Sequence, residues 1–263
     1  MTTSTPLPAD LAGPEAAPAA GPRSPARVTA AVLCALLGAG LTAGAAATAW
    51  SDHRAARRTP TAEAAYRAAA SLWRNAPADR LLPPVLEGPG EGPGGADRTW
   101  TRVALAPAAD CGPTALGADW RTALAPAGCA HVLRATYTDS TRSSLVSVGL
   151  VFTTAGPATM DGLRGHLPAP SAYGFTDAQR ATWTASVVAG APAVVYAVSA
   201  FADGRVQDAP QPAEEAARPG ATGAPAQAGL GHEAKAVAGR IERAVEDLAA
   251  PPAAHRTDPE PAR

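Results

Sequence analysis

Asp110, Cys111, Cys129 and His131 are the residues of this 263-residue chain whose types and closeness in sequence suggest chemistry. Two thiols, an imidazole and a carboxylate suit a zinc site, a cysteine nucleophile with a histidine base, or a disulfide with two bystanders. Structural zinc sites bring their ligands in close pairs. Here only Cys129 and His131 are close, at a spacing that runs along a strand. A nucleophilic cysteine needs a free thiolate and a positive neighbour to lower its pKa, and the sequence offers none beyond His131. A disulfide between Cys111 and Cys129 is the reading that an exported domain with two cysteines favours. Closing a loop of this size is worth ~3 kcal/mol in the chain-entropy model.

Were the chain an enzyme, His131, His166 and Asp139 would be its candidate catalytic residues, because imidazoles and carboxylates carry general acid–base work. Each also has a structural reading. His131 alternates with Leu133, Ala135 and Tyr137, which puts it at the edge of a packed face. Asp139 opens "DSTRS", a turn in which Asp is favoured for hydrogen bonds to its own backbone, and Asp203-Gly204 reads the same way. The chain has no GxSxG, GxxxxGK[ST], HExxH or CxxC. The Gly-rich "GPGEGPGGAD" carries prolines, which lack the N–H donors of a phosphate cradle. No metal and no cofactor is expected. The formal net charge is −1, with Lys235 the only lysine, so nucleic acid is not the expected partner.

The elements that would position these residues follow an apolar segment. Residues 28–50, "VTAAVLCALLGAGLTAGAAATAW", run without a charge and are long enough to cross a hydrocarbon core of about 30 Å as a helix. The reading is a transmembrane anchor, with 1–27 a disordered cytoplasmic lead. A cleaved signal peptide ending near Ala47, which would release a secreted domain, is the alternative. Nearby arginines mildly favour the opposite topology. The Pro/Ala-rich lead and the cysteine pair decide for a cytoplasmic N-terminus and an extracytoplasmic C-terminal part.

Beyond the anchor, 51–98 reads as a juxtamembrane helix and loop, the helix "TAEAAYRAAASLWRN" capped by Thr59 and Pro60 and acting as a stalk. Residues 99–205 hold the ordered domain. Strands are expected at 99–106, 130–138 and 144–154, then a hairpin from "ATWTASVVA" and "AVVYAVSAFADGR", with short helices around Trp120 and over "PATMDGLRGHL". The Pro/Gly/Ala stretch 206–229 reads as a linker. Residues 230–249 form an amphipathic helix with Val237, Ile241, Val245 and Leu248 on one stripe, and 250–263 a disordered tail. The fold class is therefore α+β: an antiparallel sheet of about five strands with helices on one face. Its other face would carry Ser147, Gly149, Ala197 and Ser199 toward solvent or a docked partner.

The anchor, "LLPP" (81–84), "GCAHVLRATYTDSTRSSLVSVGLVF" (128–152) and "FADGR" (201–205) resemble the single-pass membrane proteins common in Streptomyces and related high-GC actinobacteria. That resemblance implies location and architecture and carries no assigned activity. The expected role is a membrane-anchored binding, sensor or accessory module of a cell-envelope complex with a protein partner. An exported enzyme is the rival reading.

Overall fold

The computed structural model describes residues 61–91 and 95–250, together with Gly38, Gly44 and Thr48. The chain divides into two units, Met1–Arg58 and Thr59–Arg263. The expectations for the lead, for the anchor (apart from those three residues) and for the tail from 251 onward lie outside the described residues. Among the described residues no helix is long and apolar enough to cross a membrane.

In the second unit the valine-rich runs become strands. The elements are α1 (Ala62–Ala69), α2 (Leu72–Asn75), α3 (Ala78–Leu81), β1 (Val85–Gly88), β2 (Arg98–Leu105), α4 (Ala118–Leu124), β3 (Cys129–Asp139) and β4 (Ser144–Thr153). There follow α5 (Pro157–Asp161), β5 (Thr182–Val187), β6 (Ala193–Phe201), β7 (Gln211–Pro212), α6 (Ala213–Ala216), α7 (Ala224–Gln227) and α8 (Leu230–Ala249). The class is α+β as expected, but the sheet has seven strands in the order β1-β2-β3-β4-β6-β5-β7. It is mixed: β7 runs parallel to β5, and every other pair is antiparallel. The strands the sequence did not reveal, β1 and β7, are the short ones at the edges, where proline is tolerated because no ladder hydrogen bond is lost.

The sheet is covered on both faces, which corrects the expectation of helices on one side. On the first face Leu133, Ala135, Tyr137, Val146, Val148, Leu150, Phe152 and Val195 pack under Val237, Ile241 and Val245 of α8. Each of those three helix side chains is fully buried, worth roughly 1.5–3 kcal/mol apiece relative to exposure. On the second face Val132, Val151, Val194, Tyr196 and Val198 lie under Trp120 and Leu124 of α4, Met160 of α5, and Leu163 and Leu167 of the following segment.

The proposed open set of small residues does not exist as a face. Register pairs Gly149 with Tyr196 and Val148 with Ala197, so Ser147 and Gly149 point one way while Ala197 and Ser199 point the other. Gly149 is buried directly under the Tyr196 ring: a Cβ there would stand 2.0 Å from Tyr196 Cζ. Ser147 Oγ accepts the Tyr173 N–H at 2.6 Å, and Ser199 shares a hydrogen bond with Thr182 at 2.6 Å. The expected helix over "PATMDGLRGHL" shortens to α5, because Gly162 and Gly165 follow it and Gly165 takes a positive φ of 74°.

Two segments read as spacers belong to the fold. The helix at the start is capped by Thr61, whose side chain accepts the Ala64 N–H, and it breaks at Ala70–Ser71. It packs on α8 with Ala69 buried, and the chain beyond it buries Leu81 and Leu82 completely. Residues 206–229 contain β7, α6 and α7, with Ala213, Ala216 and Pro225 buried. Small side chains explain this packing. A Cβ on Gly231 would meet the Ala213 carbonyl oxygen at 2.6 Å, so α6 and α8 approach as only Gly and Ala permit.

Candidate functional site

Cys111 and Cys129 form the expected disulfide, with their Cα atoms 6.0 Å apart. Its placement follows from the sheet. Ala109 bridges Val132, which carries Cys111 to the start of β3, and α4 fills the loop that the bond closes. Both sulfurs are thereby consumed, so neither thiolate is a metal ligand or a nucleophile. Among the described residues no group of three or more His, Cys, Asp or Glu side chains is arranged to hold a metal ion.

Cys129 and His131 do not act together, for a geometric reason. Register slips between them, Cys129 pairing with Thr153 and His131 with Phe152. A bulge of this kind breaks the two-residue alternation of a strand. Cys129 and Cys111 pack toward the second face, whereas His131 lies on the first face under Trp73, which belongs to the cluster around α8. The two rings stack with centroids 3.9 Å apart and planes 17° from parallel. His131 is 8% exposed, as the edge-of-a-packed-face reading expected. Neither of its ring nitrogens has a hydrogen-bond partner, and Asp110 Oδ1 stands 3.6 Å from Nδ1. The guanidinium of Arg74 lies 4.5 Å from the Trp73 ring.

The three candidate catalytic residues are not brought together. His131 and Asp139 sit eight residues apart on one strand, a separation of about 26 Å at ~3.3 Å per residue. His166 is exposed in the turn after α5, with Nδ1 2.8 Å from the Arg164 carbonyl oxygen. Asp139 performs the turn role expected of it. Its carboxylate accepts the N–H groups of Ser143 at 2.8 Å, Ser144 at 2.9 Å and Thr141 at 3.2 Å, and the Thr141 and Ser143 hydroxyls besides. Burial pushes its pKa up, but the hydrogen bonds from Thr141, Ser144 and Ser143 outweigh burial and bring it down to about 2. Asp203 likewise turns back on Arg205, whose side-chain and backbone hydrogen bonds lower its pKa.

The chemically densest cluster is one the sequence reading did not single out. Glu233, on the inner side of α8, is 2% exposed. One of its oxygens takes Arg98 of β2, while the other accepts Ser144 Oγ of β4 and, at 3.4 Å, the indole N–H of Trp100. Ser144 Oγ also stands 3.2 Å from Asp139 Oδ1, so the helix, two strands and the β3–β4 turn meet through one hydroxyl. A buried carboxylate is tolerated only when paired and hydrogen-bonded, and this one is. The signal was present in the sequence: Glu233 stands four residues before Val237 on the apolar stripe of α8.

The β1–β2 ribbon is covered on the first face alone. On its outer side Val85 is 47% exposed and Thr99 and Thr101 are exposed too; Val103, at the bulge of β2, is 56% exposed, and Leu105, beyond the bulge and paired with Ala135, is 39% exposed. The inner side of the same ribbon is closed by Trp100, which is fully buried. No family model, curated protein or solved structure matches this chain.

Proposed function

We propose that the protein is a membrane-anchored binding module, an accessory or sensor subunit of a cell-envelope complex, held by residues 28–50 and displaying its folded unit outside the cell. The observation that carries this reading is the uncovered outer side of the β1–β2 ribbon. Val85, paired with Thr101, and Val103, at the bulge of β2, stay in water there, while helices and loops cover most of the sheet. Apolar side chains gathered on one part of an otherwise closed fold mark a contact surface for another macromolecule. The Cys111–Cys129 bond supports an oxidising compartment for it. Asp139 and His166 are engaged with their own neighbouring backbone, and His131 lies beneath Trp73, eight residues along β3 from Asp139.

Crosslinking in intact membranes followed by affinity purification tests the reading. The full-length chain is expected to carry a protein partner, and Val85→Asp combined with Val103→Asp is expected to lose it while the unfolding midpoint stays within about 1 °C, as surface changes allow. Recovery of the same crosslinks from the double variant overturns the assignment of this surface. Labelling of Cys111 and Cys129 by an impermeant thiol reagent without prior reduction overturns the disulfide, and full protection of the folded unit from protease added to spheroplasts overturns the location.

A further inference from the structure

Gly90 and Glu91, just beyond β1, stand opposite the outer side of α8 across a cleft of about 410 Å³. Its charge is unlike that of the chain as a whole. His232, Lys235 and Arg243 line it from the helix, Gly90 and Glu91 from the hairpin. Lys235 and His232 are exposed, and Lys235 forms no ion pair among the described residues. Glu91 Oε1 accepts Arg240 Nη2 at 2.6 Å and lies 3.6 Å from Arg243 Nη2. Three cations, Lys235, Arg240 and Arg243, therefore stand near two carboxylates, Glu91 and Asp97, whose Oδ1 accepts the Gly90 N–H at 2.9 Å.

We infer that this cleft binds a phosphate group through Lys235 and Arg243, with the Glu91 carboxylate occupying part of the same anion position as an internal competitor. Glu91 is held in that role from behind. Its other oxygen is buried without a partner, and a Cβ on Gly88 would stand 2.9 Å from it and 2.7 Å from the Trp100 ring. The carboxylate is thus wedged between the hairpin backbone and the two arginines. An incoming phosphate offers Arg243 and Lys235 up to three acceptor oxygens and more charge than one carboxylate, which is the basis for displacement. This site is separate from the apolar β1–β2 surface, so its test is independent of the partner proposed there.

Isothermal titration of the full-length protein in a neutral detergent tests it, with inorganic phosphate in one arm and glycerophosphoglycerol, a lipid headgroup without its chains, in the other. Chloride at matched ionic strength is the reference. Heat of binding is expected with phosphate, weakened about tenfold or more by Lys235→Gln with Arg243→Gln, two exposed changes, and strengthened severalfold by Glu91→Gln. Tighter binding of the diester than of inorganic phosphate assigns the ligand to a membrane or polymer phosphodiester, and the reverse assigns a soluble phosphate. Equal heats for phosphate, diester and chloride overturn the proposal. So does binding that survives in the Lys235/Arg243 variant, or binding that Glu91→Gln weakens in a protein whose unfolding midpoint is unchanged.

Discussion

The indole of Trp73 lies flat on the imidazole of His131, joining the first helical segment to the start of β3 across 58 residues of chain. The stack hides both imidazole nitrogens from water without giving either a hydrogen-bond partner. An unsatisfied buried polar group costs about 1–3 kcal/mol, so this contact stabilises less than its area implies. His131→Phe keeps the stacked ring and removes the unpaired nitrogens. It is expected to raise stability by about 1 kcal/mol in urea unfolding, whereas His131→Ala, which leaves a gap beneath Trp73, is expected to lower it by about 2 kcal/mol. Equal losses in the two variants would show that the nitrogens have partners after all.

Reduction of Cys111–Cys129, or replacement of both by Ser, is expected to lower unfolding free energy by about 3 kcal/mol, the chain-entropy value for a loop of this length. The bond ties the loop carrying α4 to β3, and Trp120 and Leu124 of that helix roof the second face. Limited proteolysis under reducing conditions is therefore expected to cut first between residues 110 and 128. Cleavage that is unchanged by reduction would show that packing alone holds the loop.

Asp139 makes stability pH-dependent in a defined direction. Its pKa in the folded chain is about 2, against the ordinary 3.8. A depressed carboxylate contributes stability that is fully present above about pH 4 and is lost as pH falls toward about 2. Solvent screening of this partly exposed group limits that contribution to about 1 kcal/mol. Asp139→Asn is expected to be less stable at pH 7 and to show a flatter acid limb in pH-dependent urea unfolding. Parallel acid limbs in the two proteins would remove Asp139 as the cause.

Glu233 is the charge whose removal is expected to cost most. Glu233→Ala strands the Arg98 guanidinium and the Trp100 N–H beside a buried site, a change worth about 3–5 kcal/mol. Replacing Arg98 and Glu233 together by Met is expected to recover part of that loss, because an apolar pair of similar volume avoids the desolvation cost. A double variant no better than Glu233→Ala would mean that the contacts with Trp100 and Ser144 dominate.

Gly149→Ala tests the close approach of β4 to the Tyr196 ring. The added methyl collides with Cζ, Cε1 and Oη of a fully enclosed ring, so the ring must leave its site under α4. A loss of about 3 kcal/mol is expected by overpacking. Tyr196→Leu is expected to relieve most of it in the double variant. Additive losses would place the cause elsewhere.

Much of the fold was legible because its signals are local. The 3.6-residue stripe of Val237, Ile241 and Val245 marked α8 to its ends, and alternation marked β2, β3, β4 and the β5–β6 hairpin. Asp139 was legible as a turn residue, because its partners are its own neighbours in sequence. What was misread shares one property: it depends on contacts between distant segments. Alanine and glycine at 206–229 look like linker composition, yet the same small residues let α6 lie against α8. The stalk helix looked free because its partner, α8, is more than 160 residues further on. Residues 85–88, between prolines and glycines, become a strand only because β2 offers an open edge.

By itself the sequence determined where the strands and the long helix lie, that Cys111 and Cys129 join, and that Asp139 closes a turn, since periodicity, cysteine pairing and turn chemistry act over short stretches. Tertiary structure decided which residues face each other. A one-residue bulge sent Cys129 and His131 to opposite faces, and the β4–β6 register set Gly149 under Tyr196. The packing of α8 turned Glu233 inward to Arg98 and Ser144, and left Lys235 and Arg243 facing the hairpin. Register and helix rotation are fixed by the summed burial of both partners, and neither strand nor helix carries that information alone.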